Sequence, residues 1–525
     1  MAEERPHILV AEELGPAGLN YLRERAEVEA HKKLPPEELD AHLEGKDAVI
    51  IRSSHRITRE IVERHPQLKV VARAGSGVDN VDLNACTEYG ITVINAPGAN
   101  AIAAAEHTFG LLLAAMRNIP AGDRHVREGG WNRAAFLGAE LHERRLGIIG
   151  FGRVGREVAR IAQGFRMPIM VFDPYVSADM LTAYRAQGAE TLEELVEWAD
   201  ILTIHTPKGG PRLGYELLRR MRKGSVVVNA SRGGLFDEDA IVRLLDEGIL
   251  YRAALDVFAV EPPPADSPLL KRTDVVLTPH LGGSTDEALA KVGLMTAQGV
   301  MEALAGRTPF NTVNVPVPVM DPEVIAKLDR ATALLGKLFW FFERSLPKTI
   351  FLSVNAMPQA SVPWLRQSLI ARLLEPVSDE RVNTVNAMKK AEEHGFRVNV
   401  GLEGEAEENK PVTLAVVSGS STGQPLAEVE VNGALRLKQV GGVPIDAVWP
   451  ERAILTEHND RPGVMGQVGT ILGQHNVNIA GLTLGRSGPG GPAYMVLAVD
   501  EEVPEEALEA IRALPGMNRA AYITL

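Results

Sequence analysis

The sequence predicts an α/β protein: two parallel-sheet units, then a mixed α+β region, then a small βαββαβ unit. Three observations carry this expectation. Between residues 7 and 283, short apolar runs alternate with amphipathic stretches, the pattern of parallel strands and their covering helices. Within that run, residues 146–155 read LGIIGFGRVG, an apolar strand that ends on three spaced glycines. After Trp449-Pro450 the patterns run strand, helix, strand, strand, helix, strand, as in a ferredoxin-like unit.

The first unit is built from HILVAEE, DAVIIRSS, LKVVARAGSG and TVINAPG, each followed by a helical stretch, and is expected to be flavodoxin-like. Residues 100–118 form a long alanine-rich helix, followed by a loop around Gly129, Gly130 and Trp131. Alternation resumes with DILTIHTP, SVVVNASRGG, RAALDVFAVEPP and VVLTPHLGG. The helix STDEALAKVGLMTAQGVMEALAG, ending at Gly306, is expected to lead the chain back to the first sheet. The first unit is then discontinuous, 1–98 with 284–312, and the second spans 99–283. Val313 to Val319 (VNVPVPV) reads as a proline-rich extended linker into the α+β region, 313–450, which carries no catalytic signature. The last unit is 451–525.

Bulk properties narrow the function. A chain of 525 residues is too long for one core. A net charge of −13 argues against nucleic acid or an anionic membrane as the main partner, so an anionic substrate needs a local arginine cluster. The single cysteine, Cys86, in an apparent helix (VDLNACTEYG), excludes internal disulfides and metal-thiolate clusters; no metal is expected. No apolar run is long enough to span a bilayer and MAEERPHILVAEE lacks an export core, so a cytoplasmic location is expected.

The glycine run identifies a cofactor site. In Gly150-x-Gly152-x-x-Gly155, Gly150 permits the tight turn, Gly152 admits a pyrophosphate to the backbone, and Gly155 lets helix pack on strand. The N–H groups opening the helix face the pyrophosphate. A second strand ends in VFDP, placing Asp173 about twenty residues on, where a carboxylate binds the ribose diol and repels a 2′-phosphate. This is a Rossmann dinucleotide unit that prefers NAD to NADP.

Four polar groups follow apolar strands, where open parallel sheets bind ligands: Thr206-Pro207, Arg232, Glu261 and His280. Singly, each has a plainer reading as a turn, cap or solvated side chain. Together they suit hydride transfer between an alcohol carbon and nicotinamide. Histidine matches acid-base work at neutral pH, a neighbouring carboxylate stabilises its imidazolium, and a guanidinium grips a substrate carboxylate in bidentate fashion. A second cationic group, Arg52, Ser53 and Arg56 in IIRSSHRIT, also follows an apolar strand.

NASRGG, ALDVFAVEPP and TPHLGG after GFGRVG resemble the signatures of the D-isomer-specific 2-hydroxyacid dehydrogenases, over about residues 7–312. The resemblance implies that Arg232 binds substrate carboxylate and carbonyl, that His280 is the acid-base, and that Glu261 pairs with it. It also implies that Asp256 sits near the nicotinamide carboxamide, and that Arg153, Val154, Thr206, Pro207, Ser231 and Gly282 line the NAD site. Within the family, ARAGSGVDNVD, NAPGANAIAAAEHT and WNRAAFLGAEL are most similar to the branch that oxidises 3-phospho-D-glycerate to 3-phosphohydroxypyruvate in serine biosynthesis. That likeness implies substrate contacts from Ser76 and Gly77 backbone N–H groups, from Asn100, from Arg52 to the phosphate, and from Arg133 across a homo-oligomer interface. Ala99-Asn100-Ala101 departs from the Gly-Asn-Ser common in relatives, at the loss of one hydroxyl. The alternatives are another 2-hydroxy acid (glycerate or 2-hydroxyglutarate), or an NAD-sensing protein without catalysis.

The α+β region resembles an intervening, allosteric substrate-binding domain, and the last unit resembles an ACT domain. HNDRPGVMGQVG and NVNIAG stand where such domains bind an amino acid between subunits. By that likeness His458, Asp460, Gly463 and Asn478 hold an effector, expected to be L-serine; the alternative is a unit that only dimerises.

Overall fold

The computed structural model describes residues 5–318, 320–404, 410–418 and 424–525; Val319, the last residue of the expected linker, lies outside them. The first sheet is wholly parallel, with β1 (His7–Val10), β2 (Glu27–Ala30), β3 (Ala48–Ile51), β4 (Val70–Arg73) and β5 (Thr92–Ile94) in the order β2-β1-β3-β4-β5. Strand residues are apolar in unbroken runs because both faces are covered. Leu9, Val49, Val71 and Val93 pack on one side, and Ile8, Ile50, Val70 and Ile94 on the other. Strand β2 was not among the expected strands. Its sequence, EVEA, lacks an apolar run because it is an edge with a single neighbour, with Glu27 exposed and Glu29 half-buried.

The second sheet is also parallel: β6 (Leu146–Ile149), β7 (Ile169–Phe172), β8 (Gln187–Gly188), β9 (Ile201–Ile204), β10 (Ser225–Asn229), β11 (Leu250–Leu255) and β12 (Val275–Leu277). Their order, β12-β11-β10-β9-β6-β7-β8, reverses direction at β6, and the crevice at such a point is where doubly wound sheets take ligands. The glycine loop leaves the carboxyl end of β6. Helix Ala101–Met116 joins the two sheets, and helix Asp286–Leu304 returns to pack on Pro16–Arg23 of the first unit. The two helices cross at glycines: a Cβ on Gly18 would lie 2.4 Å from the Gly293 carbonyl oxygen. Asn314 and Asn311 then tie the chain to β5, the Val93 N–H donating to Asn314 and Asn311 donating to the Asn95 carbonyl.

The third sheet pairs β13 (Thr349–Asn355) in parallel with β14 (Arg397–Glu403). It continues antiparallel through β15 (Val412–Ser418), β16 (Ala427–Asn432), β17 (Ala434–Val440) and β18 (Val443–Val448). Strict alternation in AEVEVN and VPIDAV gives it one buried and one wet face. The last unit is β19 (Arg452–Asn459), helix Val464–Gln474, β20 (Ile479–Arg486), β21 (Pro492–Val499), helix Glu505–Arg512 and β22 (Met517–Thr524). These strands form an antiparallel sheet in the order β20-β21-β19-β22, the expected βαββαβ arrangement. No helix among the described residues is long and apolar enough to cross a membrane. Cys86 is buried in helix Leu83–Glu88, and burial with nearby Asp82 pushes its thiol up to about 12.

Candidate active site

The carboxyl ends of the two parallel sheets face each other across a cleft of about 90 Å³, lined by Ser76, Asn100, Val154, Ser231, Arg232, His280 and Gly282 among others. Residues more than two hundred positions apart are brought together here. His280 follows β12 in a turn where its φ is +56°, a left-handed backbone that is uncommon outside glycine. Its Nδ1 lies 2.8 Å from Glu261 Oε2, and Glu261 Oε1 accepts from the Phe258 N–H at 3.1 Å. The carboxylate therefore engages Nδ1 and leaves Nε2 outside the pair.

Asp256, at the end of β11, is fully buried beneath this turn. Its carboxylate accepts from the N–H groups of Leu281 and Gly282 at 2.7 and 2.8 Å, from Thr278 at 2.5 Å, and from His107 at 3.0 Å. Burial pushes this carboxyl up, but those hydrogen bonds, His107 first, outweigh it and hold it below the usual carboxylate range. In this chain Asp256 thus clamps the backbone on either side of the histidine turn. His107 was not a sequence candidate: it sits mid-helix, and only the packing of helix Ala101–Met116 on β11 brings it to Asp256.

Arg232 follows β10 and reaches toward the first unit. Its Nε donates to Asp79 at 3.2 Å and its Nη1 to the Ser231 carbonyl at 2.8 Å, leaving Nη2 against Gly77, where a Cβ would lie 2.2 Å away. Only glycine admits that approach. Ser76 donates to Asn100 Oδ1 at 2.7 Å, so the three substrate candidates Ser76, Gly77 and Asn100 form one wall. Behind it stands Arg73, which the sequence did not single out. Burial, with Arg232 and Arg52 nearby, lowers its guanidinium to about 10, so it stays charged at neutral pH. Arg52 belongs to the same cationic group; Glu12 accepts its backbone N–H at 2.7 Å and that of Ser54, and holds the turn. Ser53 and Arg56 are exposed in that turn. Arg133 lies on the exposed turn Arg133–Phe136, and among the described residues no hydrogen bond or ion pair joins it to the cleft.

The glycine loop fits a dinucleotide. A Cβ on Gly152 would meet nothing within 4 Å, which leaves open space for a pyrophosphate; one on Gly155 would lie 2.2 Å from the Gly150 carbonyl oxygen, so helix and strand are in close contact. Gly150 itself has φ +87°. Asp173 ends β7 and accepts from the Phe151 and Tyr175 N–H groups at 2.7 and 2.8 Å, fixed beside the loop. Ser231 donates to the Thr206 carbonyl at 2.9 Å, tying the Thr206-Pro207 turn to β10. The Thr206 hydroxyl is buried without a protein partner and lies against Gly210, where a Cβ would be 2.3 Å from it. Val154 lines the cleft, and Arg153 donates to the Pro97 carbonyl of the first unit. His205 also lines the cleft; burial lowers its imidazole to about 4, so it stays neutral. Asp173→Ala should reduce discrimination against NADP roughly fivefold or more, because like charges in a partly desolvated site repel by more than about 1 kcal/mol. Parallel KM measurements with NAD and NADP check this, and unchanged selectivity would remove Asp173 from the role.

In the last unit, Gly463 opens helix Val464–Gln474 with φ +93° and open space above it. Asp460 accepts from Arg486 at 2.9 Å, and Asn478 donates to Asp500 at 2.6 Å. His458 lies inside the sheet, 3% exposed, with Nδ1 3.3 Å from the Thr456 hydroxyl.

Comparison with known proteins places the chain in a family. Residues 109–282 match the NAD-binding domain model of the D-isomer-specific 2-hydroxyacid dehydrogenases, and residues 452–516 match the ACT domain model. D-3-phosphoglycerate dehydrogenase 2, chloroplastic, of Arabidopsis thaliana is 36% identical over 99% of this chain and 87% of its own length. D-3-phosphoglycerate dehydrogenase of Archaeoglobus fulgidus is 34% identical over 99% of this chain and 100% of its own. A crystal structure of a Thermus thermophilus protein, 35% identical, superposes with a TM-score of 0.54 over 58% of this chain and 99% of that one. The chain belongs to the D-3-phosphoglycerate dehydrogenase family of NAD-dependent 2-hydroxyacid dehydrogenases, in the long form that ends in an ACT domain.

Proposed function

We propose that this enzyme oxidises 3-phospho-D-glycerate to 3-phosphohydroxypyruvate with NAD, the first step of L-serine biosynthesis. The observation that carries the reading is a second cationic group next to the cleft: Arg232 lines it beside the His280–Glu261 pair, and Arg52 with Arg73 lies close enough to Arg232 for the charges to act on one another. A 2-hydroxy acid without a second anion needs only the former.

NAD, held by Gly150, Gly152, Gly155 and Asp173, supplies the hydride acceptor. Arg232 and the Ser76–Gly77 N–H groups hold the substrate carboxylate, and Arg232 steadies the negative charge on the reacting oxygen. His280 takes the hydroxyl proton at Nε2 while Glu261 stabilises the imidazolium from Nδ1. Arg52 and Arg73 hold the phosphate. Arg52→Ala should weaken phosphoglycerate roughly 10- to 150-fold, the worth of one charge-assisted hydrogen bond, and leave unphosphorylated glycerate within about threefold. Equal losses on both would make Arg52 structural, and the phosphate specificity would need another source.

The active form is a homo-oligomer in the cytoplasm, where a lone buried thiol suits a reducing milieu. Supporting assembly, Ile119, Val126, Trp131 and Leu137 expose 55–84% of their surface around Arg133, which would then reach a neighbouring subunit's cleft. L-serine is the regulator, bound between ACT units by Asp460, Gly463 and Asn478; the fourth expected contact, His458, is left out because its imidazole is 3% exposed within the sheet. Because those residues lie on another unit, serine must favour an arrangement less able to close over substrate. A coupling of about 1–3 kcal/mol corresponds to roughly 5- to 150-fold inhibition. Asn478→Ala should abolish serine inhibition and keep serine-free activity; calorimetry without serine binding to the intact enzyme would leave the unit as an assembly element.

A further inference from the structure

The edge strand β2 carries a cluster that the proposed reaction does not use. Glu29 and His31 are two residues apart along the extended chain, so their side chains leave the same face. His42 ends the short helix Leu39–His42 that follows. Both imidazoles converge on one carboxylate oxygen: His31 Nε2 lies 3.0 Å from Glu29 Oε1, and His42 Nδ1 is hydrogen-bonded to the same atom. The two rings sit edge to face, centroids 5.0 Å apart. One potential ligand atom from each residue falls within 4.8 Å of the others, and all three side chains are about one-third exposed. None of the three lines the catalytic cleft.

Two imidazole nitrogens and one carboxylate oxygen are the donor set of Zn²⁺ and its first-row neighbours. Magnesium and calcium prefer all-oxygen shells, so they are disfavoured. We propose that Glu29, His31 and His42 form a transition-metal site of the Zn²⁺ class, with water completing the coordination. Lys46 Nζ lies 2.6 Å from Glu29 Oε2, the oxygen turned away from the histidines, and holds the carboxylate as an outer partner. The collapsed contacts between ligand atoms open by a small rotation of each side chain when the ion enters.

The site's place in the fold gives it a task. Strand β2 has one neighbour, β1, and the helix bearing His42 is a single turn, so a metal would pin two weakly held elements together. The turn after β2 is tied to the end of β1: His31 N–H donates to Val10, Leu34 N–H to Ala11, and Glu13 N–H to Lys32. Glu12, in that same segment, holds the Arg52 turn. Ordering at the metal therefore reaches the anion-binding loop through a continuous set of hydrogen bonds.

The test uses untagged full-length enzyme, stripped with chelator and returned to chelator-free buffer. Calorimetric titration with Zn²⁺ alone should give one site per chain, and Co²⁺ alone should give visible d–d absorption. His31→Ala/His42→Ala should weaken Zn²⁺ at least ~10-fold and lose the Co²⁺ spectrum while keeping kcat at saturating substrate within about twofold, which rules out unfolding. Glu29→Gln provides a milder second variant with the same expected direction. His280→Ala should keep the site, which separates it from metal captured by the His280–Glu261 pair. Absence of Zn²⁺ binding to the parent enzyme, or equal binding by the double variant, overturns the assignment, as does loss of the site in His280→Ala alone.

Discussion

His280→Ala should lower turnover by about 10²- to 10⁴-fold, the range contributed by a positioned acid-base group. NADH binding should be nearly unchanged, because the glycine loop and Asp173 stand on other strands and do not touch the histidine. Glu261→Gln should fall in the same direction by a smaller factor. It keeps the shape of the partner 2.8 Å from Nδ1 but removes the charge that stabilises the imidazolium. Stopped-flow turnover with fluorescence titration of NADH separates the two effects. If His280→Ala loses cofactor binding in proportion to turnover, the side chain is holding the turn and not moving a proton. The Asp256 clamp makes that outcome unexpected, since the turn is fixed through the backbone of Leu281 and Gly282.

The second large effect belongs to Arg232. Arg232→Gln should reduce kcat/KM by roughly 10²- to 10⁴-fold, since two charge-assisted hydrogen bonds of about 1.5–3 kcal/mol each are removed from the bound carboxylate and reacting oxygen. Arg232→Lys should recover only part of this, because an ammonium keeps the charge but cannot reproduce a planar fork. The existing contacts make the prediction specific. Nε is engaged by Asp79 and Nη1 by the Ser231 carbonyl, so the guanidinium is already oriented with Nη2 at Gly77. A loss below tenfold in Arg232→Gln would show that substrate is held elsewhere, with Arg73 the next side chain to replace.

Much of the chemistry was legible in local sequence because it sits in contiguous motifs. The GFGRVG turn with Asp173 needs only a strand, a tight loop and a helix, and each has its own composition signature. Arg232, Glu261 and His280 follow apolar runs that any parallel sheet must bury, so their position at the ligand edge could be inferred before any fold was known. The strands of the first and last units were readable for the same reason. Strand β2 was not, because an edge with one partner needs no apolar run, and its glutamates gave no periodic signal.

By itself, then, the sequence determined the alternation of the parallel units apart from their edges, the βαββαβ order of the last unit, the cofactor class and the acid-base pair, all encoded in local patterns. Tertiary structure alone decided what surrounds them. His107 meets Asp256 across 149 residues, Arg232 meets Asp79 across 153, and Arg73 joins Arg52 and Arg232 through strand packing. Glu29, His31 and His42 likewise converge only once β2 pairs with β1 and the following turn folds back. Local patterning reports which face of an element is buried; it carries no information about which distant side chain that face will meet. Those pairings are set by sheet order and helix packing, and they govern the orientation of the catalytic groups.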